Sequence, residues 1–234
     1  DILETTAGLR GLLSGTGHSV LPLYGRMYPE EQEAVFEQGS GRRIVVATNI
    51  AETSITVPGI RFVIDTGLAR IVRFDPGAGI NRMPVERISR AAALQRAGRC
   101  GRVQDGICIR LYSEQDYESR QQYATPEIRR SNLSGVILRM ARLGLGKPEQ
   151  FPFLQRPAPA ALAAGYRQLR DLGALDRNGR VTSLGRAMAA LPLDPAIARM
   201  ILYSRTNGSF REVVAVAAAL SVGDIRLPGG ASGR

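Results

Sequence analysis

The sequence predicts an α/β protein: a parallel sheet with covering helices and one inserted β-hairpin, followed by a winged-helix module and further helices. Three observations carry that expectation. The first 120 or so residues alternate strand-like and helix-like stretches, and two extended runs among them flank a Pro/Gly-rich turn. After about residue 125 the composition shifts and helical stretches dominate.

Val20-Leu21-Pro22-Leu23-Tyr24 is a short first strand, followed by a helix starting near Pro29. Arg43-Ile44-Val45-Val46-Ala47-Thr48, Ile60-Arg61-Phe62-Val63-Ile64-Asp65 and Gly106-Ile107-Cys108-Ile109-Arg110-Leu111-Tyr112 are apolar runs with β-branched residues that read as three more strands. Residues 69–74 and 80–85 flank Asp75-Pro76-Gly77-Ala78-Gly79, which makes them a hairpin inserted into the α/β order.

In the second half, Thr125 as N-cap with Pro126 at the first helical position opens a helix expected to run to Leu143. Residues 158–172 form another. Leu175-Asp176-Arg177-Asn178-Gly179-Arg180-Val181 places an Asn-Gly turn between two short strands, and a helix over 184–191 follows. Helices followed by such a small wing are the order of a winged-helix module. Pro192-Leu193-Asp194-Pro195 opens helices over 196–203 and 210–220, and the Pro/Gly/Ser-rich residues 227–234 are expected to be disordered or to mark a truncation point. Expected domains are therefore 1–125, 126–191 and 192–234.

Composition narrows the function. A 44% hydrophobic and 22% charged chain of 234 residues is globular, with room for one large or two ordinary cores. No apolar run approaches the roughly 20 residues of a membrane span. Asp1-Ile2-Leu3-Glu4 shows no export signal, so a cytoplasmic location is expected, with Cys100 and Cys108 as reduced thiols. The lone histidine, His18, argues against a His-based metal site and Ser/His catalysis. Lys147 is the one lysine, and 31 basic against 21 acidic residues leave a net charge of +10. Part of that bias suits a GC-rich source, but the excess also favours a polyanionic partner, nucleic acid before membrane.

Two segments carry chemistry. Gln95-Arg96-Ala97-Gly98-Arg99-Cys100-Gly101-Arg102, placed at a helix end, would project Arg99 and Arg102 close together. Paired guanidiniums suit the spreading charge of a phosphoryl-transfer transition state, and Gln95 one turn earlier could orient an attacking water. The structural alternative is a basic helix end that complements its own dipole. Ala47-Thr48-Asn49-Ile50-Ala51-Glu52-Thr53-Ser54-Ile55-Thr56 follows the second strand at its carboxyl end, where ligands of open α/β sheets gather. Its hydroxyls and amides could grip phosphates, or simply cap the next helix.

In this order, the Ala47–Thr56 loop, Ile64-Asp65-Thr66-Gly67 and the Gln95–Arg102 octet resemble motifs V and VI of DEAH-box RNA helicases. Leu21-Pro22-Leu23-Tyr24 with Glu31-Gln32-Glu33-Ala34-Val35-Phe36 resembles their motif IV region. Gly106 to Ser113, Pro126-Glu127-Ile128-Arg129-Arg130-Ser131-Asn132-Leu133 and Leu191-Pro192-Leu193-Asp194-Pro195 continue the match, which is nearest the bacterial HrpA-type branch.

The resemblance implies a second RecA-like lobe over 1–125, a winged helix over 126–191 and the truncated start of a helical-bundle (ratchet) domain over 192–234. It implies Gln95, Arg99 and Arg102 as catalytic residues, and Phe36, Ser54 and Thr56 as nucleotide contacts. Thr48, Asn49 and Thr53 would hold the RNA backbone, with Arg26 as a helper. The intact protein would use ATP with Mg2+, the metal held mainly by the first lobe, to move 3'-to-5' on single-stranded RNA and remodel RNA or ribonucleoprotein. Its partners would be the missing first RecA-like lobe and RNA, with the ribosome as a candidate larger partner. Pro58 stands where eukaryotic members often carry an acidic residue, which puts a ribose contact there in doubt. The hairpin corresponds to a family element that projects toward the RNA path, and it could equally prop the downstream helices.

No Gly-x-x-x-x-Gly-Lys-Ser/Thr and no Asp-Glu-x-His occur, so the phosphate cradle and the magnesium carboxylate lie outside this sequence. By itself the chain is expected to be inactive. Two rivals stay open: a non-catalytic RNA-binding adaptor, and a winged-helix nucleic-acid-binding regulator.

Overall fold

The computed structural model describes residues 2–25, 27–37, 41–102 and 105–222. The chain divides into two compact units, residues 1–71 with 85–124, and residues 72–84 with 125–234.

In the first unit, helix α1 (Ile2–Leu12) precedes β1 (Ser19–Leu23), α2 (Pro29–Glu33), β2 (Arg43–Ala47), α3 (Ile50–Thr53) and β3 (Phe62–Asp65). β1 runs parallel to β2, from Ser19↔Arg43 to Leu23↔Ala47. The expected strands therefore form, and α1 packs across this pair with Arg10 Nε donating to the Val20 carbonyl at 3.0 Å. Val20, Leu23 and Val35 are buried in this unit.

The hairpin consists of β4 (Leu68–Arg70), β5 (Arg73–Asp75), β6 (Ile80–Arg82) and β7 (Val85–Arg87). β4 pairs with β7 and β5 with β6, both antiparallel, in one register from Leu68↔Arg87 to Asp75↔Ile80. The ladder lapses only at 71–72 against 83–84, where Pro84 has no N–H to offer. Asp75 sets the turn by accepting from the amides of Gly77 (2.9 Å) and Ala78 (3.2 Å). Those two amides, with Arg82 beside them, hold its carboxyl below the ordinary carboxylate range.

After the hairpin come α4 (Arg90–Ala97), β8 (Ile107–Arg110) and α5 (Glu114–Ser119). β8 lies parallel to β3, from Phe62↔Ile107 to Asp65↔Arg110, and among the described residues no strand joins this pair to β1–β2. Ser89 Oγ caps α4 by accepting from the Ala92 amide, and Ser113 does the same for α5. Cys100 is buried and Cys108 half-buried, both as free thiols.

The second unit is helical: α6 (Ser134–Leu143), α7 (Pro159–Asp171), α8 (Ser183–Ala190), α9 (Pro195–Ser204) and α10 (Phe210–Val222). The single helix expected from Thr125 to Leu143 is instead a 3₁₀ turn, Glu127–Arg129, followed by the separate α6. Tertiary bonding breaks it. The Arg130 carbonyl accepts from the Phe74 amide at 2.7 Å, Arg130 Nη1 donates to the Val72 carbonyl at 3.0 Å, and Asn132 Oδ1 takes the Ser134 amide at 2.9 Å to restart the chain as helix. Pro126, not Thr125, stands at the N-cap position of that turn.

The expected pair of wing strands reduces to one antiparallel bridge, Leu175↔Val181. Thr182 fixes its base, accepting from the Gly185 amide at 2.9 Å and donating to the Gly173 carbonyl at 2.7 Å. Leu133, Ile137, Leu138, Leu162, Leu169, Leu175, Met188 and Ala198 form the core of the unit. Residues 227–234 lie outside the described residues. Among those described, no helix is long and apolar enough to cross a membrane.

Candidate active site

The site grows from the carboxyl end of β2 and the end of α4. The Thr48 amide still bonds the Leu23 carbonyl at 3.0 Å, while Thr48 Oγ1 accepts from the Ile50 amide at 3.4 Å and so starts α3. Asn49 sits at the N-cap position without a side-chain cap and is exposed. Thr53 and Ser54 are exposed as well, their hydroxyls 3.5 Å apart. Thus Asn49, Thr53 and Ser54 offer exposed polar groups at one sheet end, and Thr48 does so only in part.

α4 closes at Gly98 and tightens into i→i+3 bonds, with the amides of Arg99 and Cys100 donating to the carbonyls of Arg96 and Ala97. The octet therefore straddles a helix end, as expected. Gly106 makes room for this turn, since a Cβ there would overlap the Cys100 carbonyl. Arg99 donates from Nη1 to the Ile55 carbonyl at 3.3 Å and from Nη2 to the Glu52 carbonyl. Arg102 Nη1 donates to Thr56 Oγ1 at 2.7 Å. Neither arginine meets a carboxylate among the described residues. Burial, then the positive charge of Arg102, pull Arg99 below the ordinary guanidinium range, with Glu52 opposing. Two guanidiniums that repel one another are a natural seat for an anion. Gln95 is exposed one turn earlier.

The third arginine of the octet behaves differently. Arg96 Nε pairs with Glu52 Oε2 at 2.9 Å and its Nη1 with Asp65 Oδ1 at 2.9 Å; the Arg96, Glu52 and Asp65 side chains are 16%, 15% and 0% exposed. Asp65 also accepts from the Gly67 amide (2.9 Å) and Tyr112 Oη (2.8 Å). One buried hub thus ties α3, α4 and the end of β3. Sequence reading missed Glu52 and Arg96 as partners. The available signal was an aspartate closing an apolar strand, since a buried carboxylate requires a cation.

Gly67 belongs to the same cluster. Its φ of +71° favours glycine, and a Cβ would lie 2.6 Å from the Tyr112 ring. The guanidinium of buried Arg120 stacks on that ring at 3.9 Å, donates to the Gly67 carbonyl at 2.8 Å and pairs with Asp116 at 2.7 Å. Burial, then the bond to Asp65, push the Tyr112 phenol up to about 12. A phenol whose folded value is raised adds stability that is complete below its ordinary value of 10 and is lost as pH climbs toward about 12. Tyr112→Phe is therefore expected to flatten the alkaline decline of the melting temperature across that window. An unchanged slope would remove Tyr112 as its source.

Phe36 lies beyond the end of α2, in turns, and is half-buried beside the fully buried Val35. The sequence places Phe36 on the helix that starts near Pro29, but α2 closes at Glu33 and continues as turns, with the Val35 and Phe36 amides donating to the carbonyls three residues back, those of Gln32 (3.1 Å) and Glu33 (2.8 Å). Arg43 Nη1 pins this turn through the carbonyls of Val35 (2.9 Å) and Glu37, and its Nη2 reaches the Pro58 carbonyl at 3.5 Å. No hydrogen bond among the described residues joins Phe36 directly to Arg99 or Arg102. Arg26 lies outside the described residues. Among those described, no three His, Cys, Asp or Glu side chains gather as a metal site.

Residues 2–104 match the helicase conserved C-terminal domain, residues 166–193 the winged-helix helicase associated domain (HA2), and residues 194–233 its ratchet-like counterpart. The ATP-dependent RNA helicase HrpA of Escherichia coli (strain K12) is 50% identical over 229 residues, which cover 96% of this chain and 18% of that protein. The probable ATP-dependent RNA helicase DHX34 of Homo sapiens is 42% identical over 205 residues, 87% of this chain and 18% of that one. The crystal structure of the Escherichia coli DEAH/RHA helicase HrpB superposes with a TM-score of 0.86 at 34% identity, covering 96% of this chain and 29% of that chain. The chain thus spans about a fifth of the length of the two curated relatives and under a third of that solved chain.

Proposed function

The chain belongs to the DEAH-box RNA helicases, as a C-terminal part of one, and from that premise we propose that the intact protein is an ATP-dependent, cytoplasmic RNA helicase. Residues 1–125 act as its second RecA-like lobe, 126–191 as the winged helix and 192–234 as the opening of the ratchet domain. The carrying observation is the division of labour among three arginines. Arg96 takes the carboxylates, while among the described residues Arg99 and Arg102 are held by carbonyls and a hydroxyl alone. Bonds to neutral acceptors leave their charge unneutralised and ready for a triphosphate presented by the first lobe.

On this reading Arg99 and Arg102 stabilise the charge that develops on the transferred phosphoryl group, and Gln95 orients the attacking water. Thr56, now accepting from Arg102, holds that guanidinium in place beside the nucleotide, and Ser54 lines the same edge. Phe36 stacks on the base. Asn49 and Thr53, with Thr48, bind the backbone of single-stranded RNA, contacts that fix register without reading sequence. A magnesium ion accompanying the nucleotide takes its protein ligands from the first lobe. Ribosomes or other ribonucleoproteins are the larger partners.

RNA-stimulated ATP hydrolysis by the intact protein tests this reading. Turnover that rises with single-stranded RNA is expected from the intact protein and none from the 234-residue chain alone. Robust turnover by the chain alone, or none by the intact protein, overturns it.

A further inference from the structure

The net charge is not shared between the two units. The first holds 13 basic and 13 acidic residues; the second holds 18 basic and 8 acidic. The entire +10 therefore belongs to the second unit. A general taste for arginine explains only half of this, because five of the ten charges come from additional basic residues and the other five from missing carboxylates. Scarcity of carboxylates beside guanidiniums is what a surface facing a polyanion requires, since each one would oppose the approach of phosphate.

The turn between α7 and α8 concentrates that surface. The Leu175↔Val181 bridge closes it, and Leu175 is 4% exposed in the core, so its base is fixed. Asp176 Oδ1 points at its own backbone, accepting from the amides of Asn178 (2.9 Å) and Arg180 (2.8 Å). The one carboxylate of the turn is thereby occupied. Arg177 and Arg180 are exposed, and neither forms an ion pair among the described residues. Arg186, exposed on α8, reaches back to the Val181 carbonyl at 3.2 Å and adds a third guanidinium at the base. Between Asp176 and Arg180 there is no aromatic platform for a base and no apolar side chain to enter a lipid layer.

We infer that this wing, through Arg177, Arg180 and Arg186, is a second nucleic-acid contact that grips the phosphodiester backbone, separate from the Ala47–Thr56 loop of the first unit. It is independent of the ATPase reading, because it needs only the charge and geometry of the second unit. The contact is rigid and neutralises phosphate without reading bases.

The test is fluorescence anisotropy of labelled single-stranded RNA and of an RNA duplex against the 234-residue chain over a salt series. Arg177→Gln/Arg180→Gln is expected to weaken binding about tenfold, irrespective of sequence, in at least one arm. The log–log salt slope should become shallower by about 1.4 on single strands or about 1.8 on duplex. The arm with the larger loss identifies the form the wing prefers. Arg177→Lys/Arg180→Lys should keep the wild-type slope, since point charges release counterions equally well. An unchanged slope in both arms, a lysine variant as weak as the glutamine variant, or binding only to anionic lipid vesicles would each overturn the inference.

Discussion

Replacing Arg99 with alanine in the intact protein is expected to lower kcat for ATP hydrolysis about a thousandfold or more, the range typical of a removed arginine finger. The KM for ATP should change far less, because the interaction lost belongs to the transition state. Arg99 is suited to that role by what it lacks. Its two acceptors, the carbonyls of Ile55 and Glu52, orient the guanidinium without cancelling its charge. Burial and the neighbouring Arg102 make that charge costly until an anion arrives, so the arrangement favours the state in which charge builds on phosphate. Arg99→Lys should rescue little, since one ammonium cannot reproduce a fork that spans two acceptors. The variant should stay folded, as only two bonds to half-buried backbone carbonyls are lost. A rate within about threefold of wild type would instead favour a non-catalytic adaptor that keeps the fold without the chemistry.

The strands were legible because each needs only its own sequence. Ile44-Val45-Val46 and Ile107-Cys108-Ile109 are apolar runs of strand length, and β2, β8 and the hairpin fall where such runs and the Asp75–Gly79 turn place them. Helix α1 was not legible. It contains Gly8 and Gly11, buries only Thr6, and shows no apolar stripe, so its docking on β1 and β2 is what sustains it. The break between residues 129 and 134 was hidden for a similar reason, since the Phe74 amide that claims the Arg130 carbonyl comes from 56 positions earlier in the chain. Spacing alone identified three arginines at three-residue intervals in the octet. It could not say which would meet carboxylates, because Glu52 and Asp65 are 44 and 31 positions from Arg96.

That assignment predicts a second large effect, on stability instead of rate. Arg96→Met is expected to destabilise the first unit by about 3–5 kcal/mol, the usual consequence of removing one partner from a buried ion pair. Asp65 would keep the Gly67 amide and Tyr112 Oη, but with no cation beside a side chain that is 0% exposed. Glu52 would lose its one strong partner at 15% exposure. Arg102→Ala, by contrast, removes a single exposed bond to Thr56 and should cost about 1 kcal/mol or less. Urea unfolding of the chain separates the two, and an Arg96→Met midpoint no lower than that of Arg102→Ala would refute the hub. Coupling gives a sharper reading. Glu52→Gln and Arg96→Met share one contact, so their combined cost should fall short of the sum of the single costs by about 1 kcal/mol or more. Because α3 and α4 meet through this contact, the loop bearing Asn49 and Thr53 and the turn bearing Arg99 are held by the same buried charges, and loosening one necessarily loosens the other.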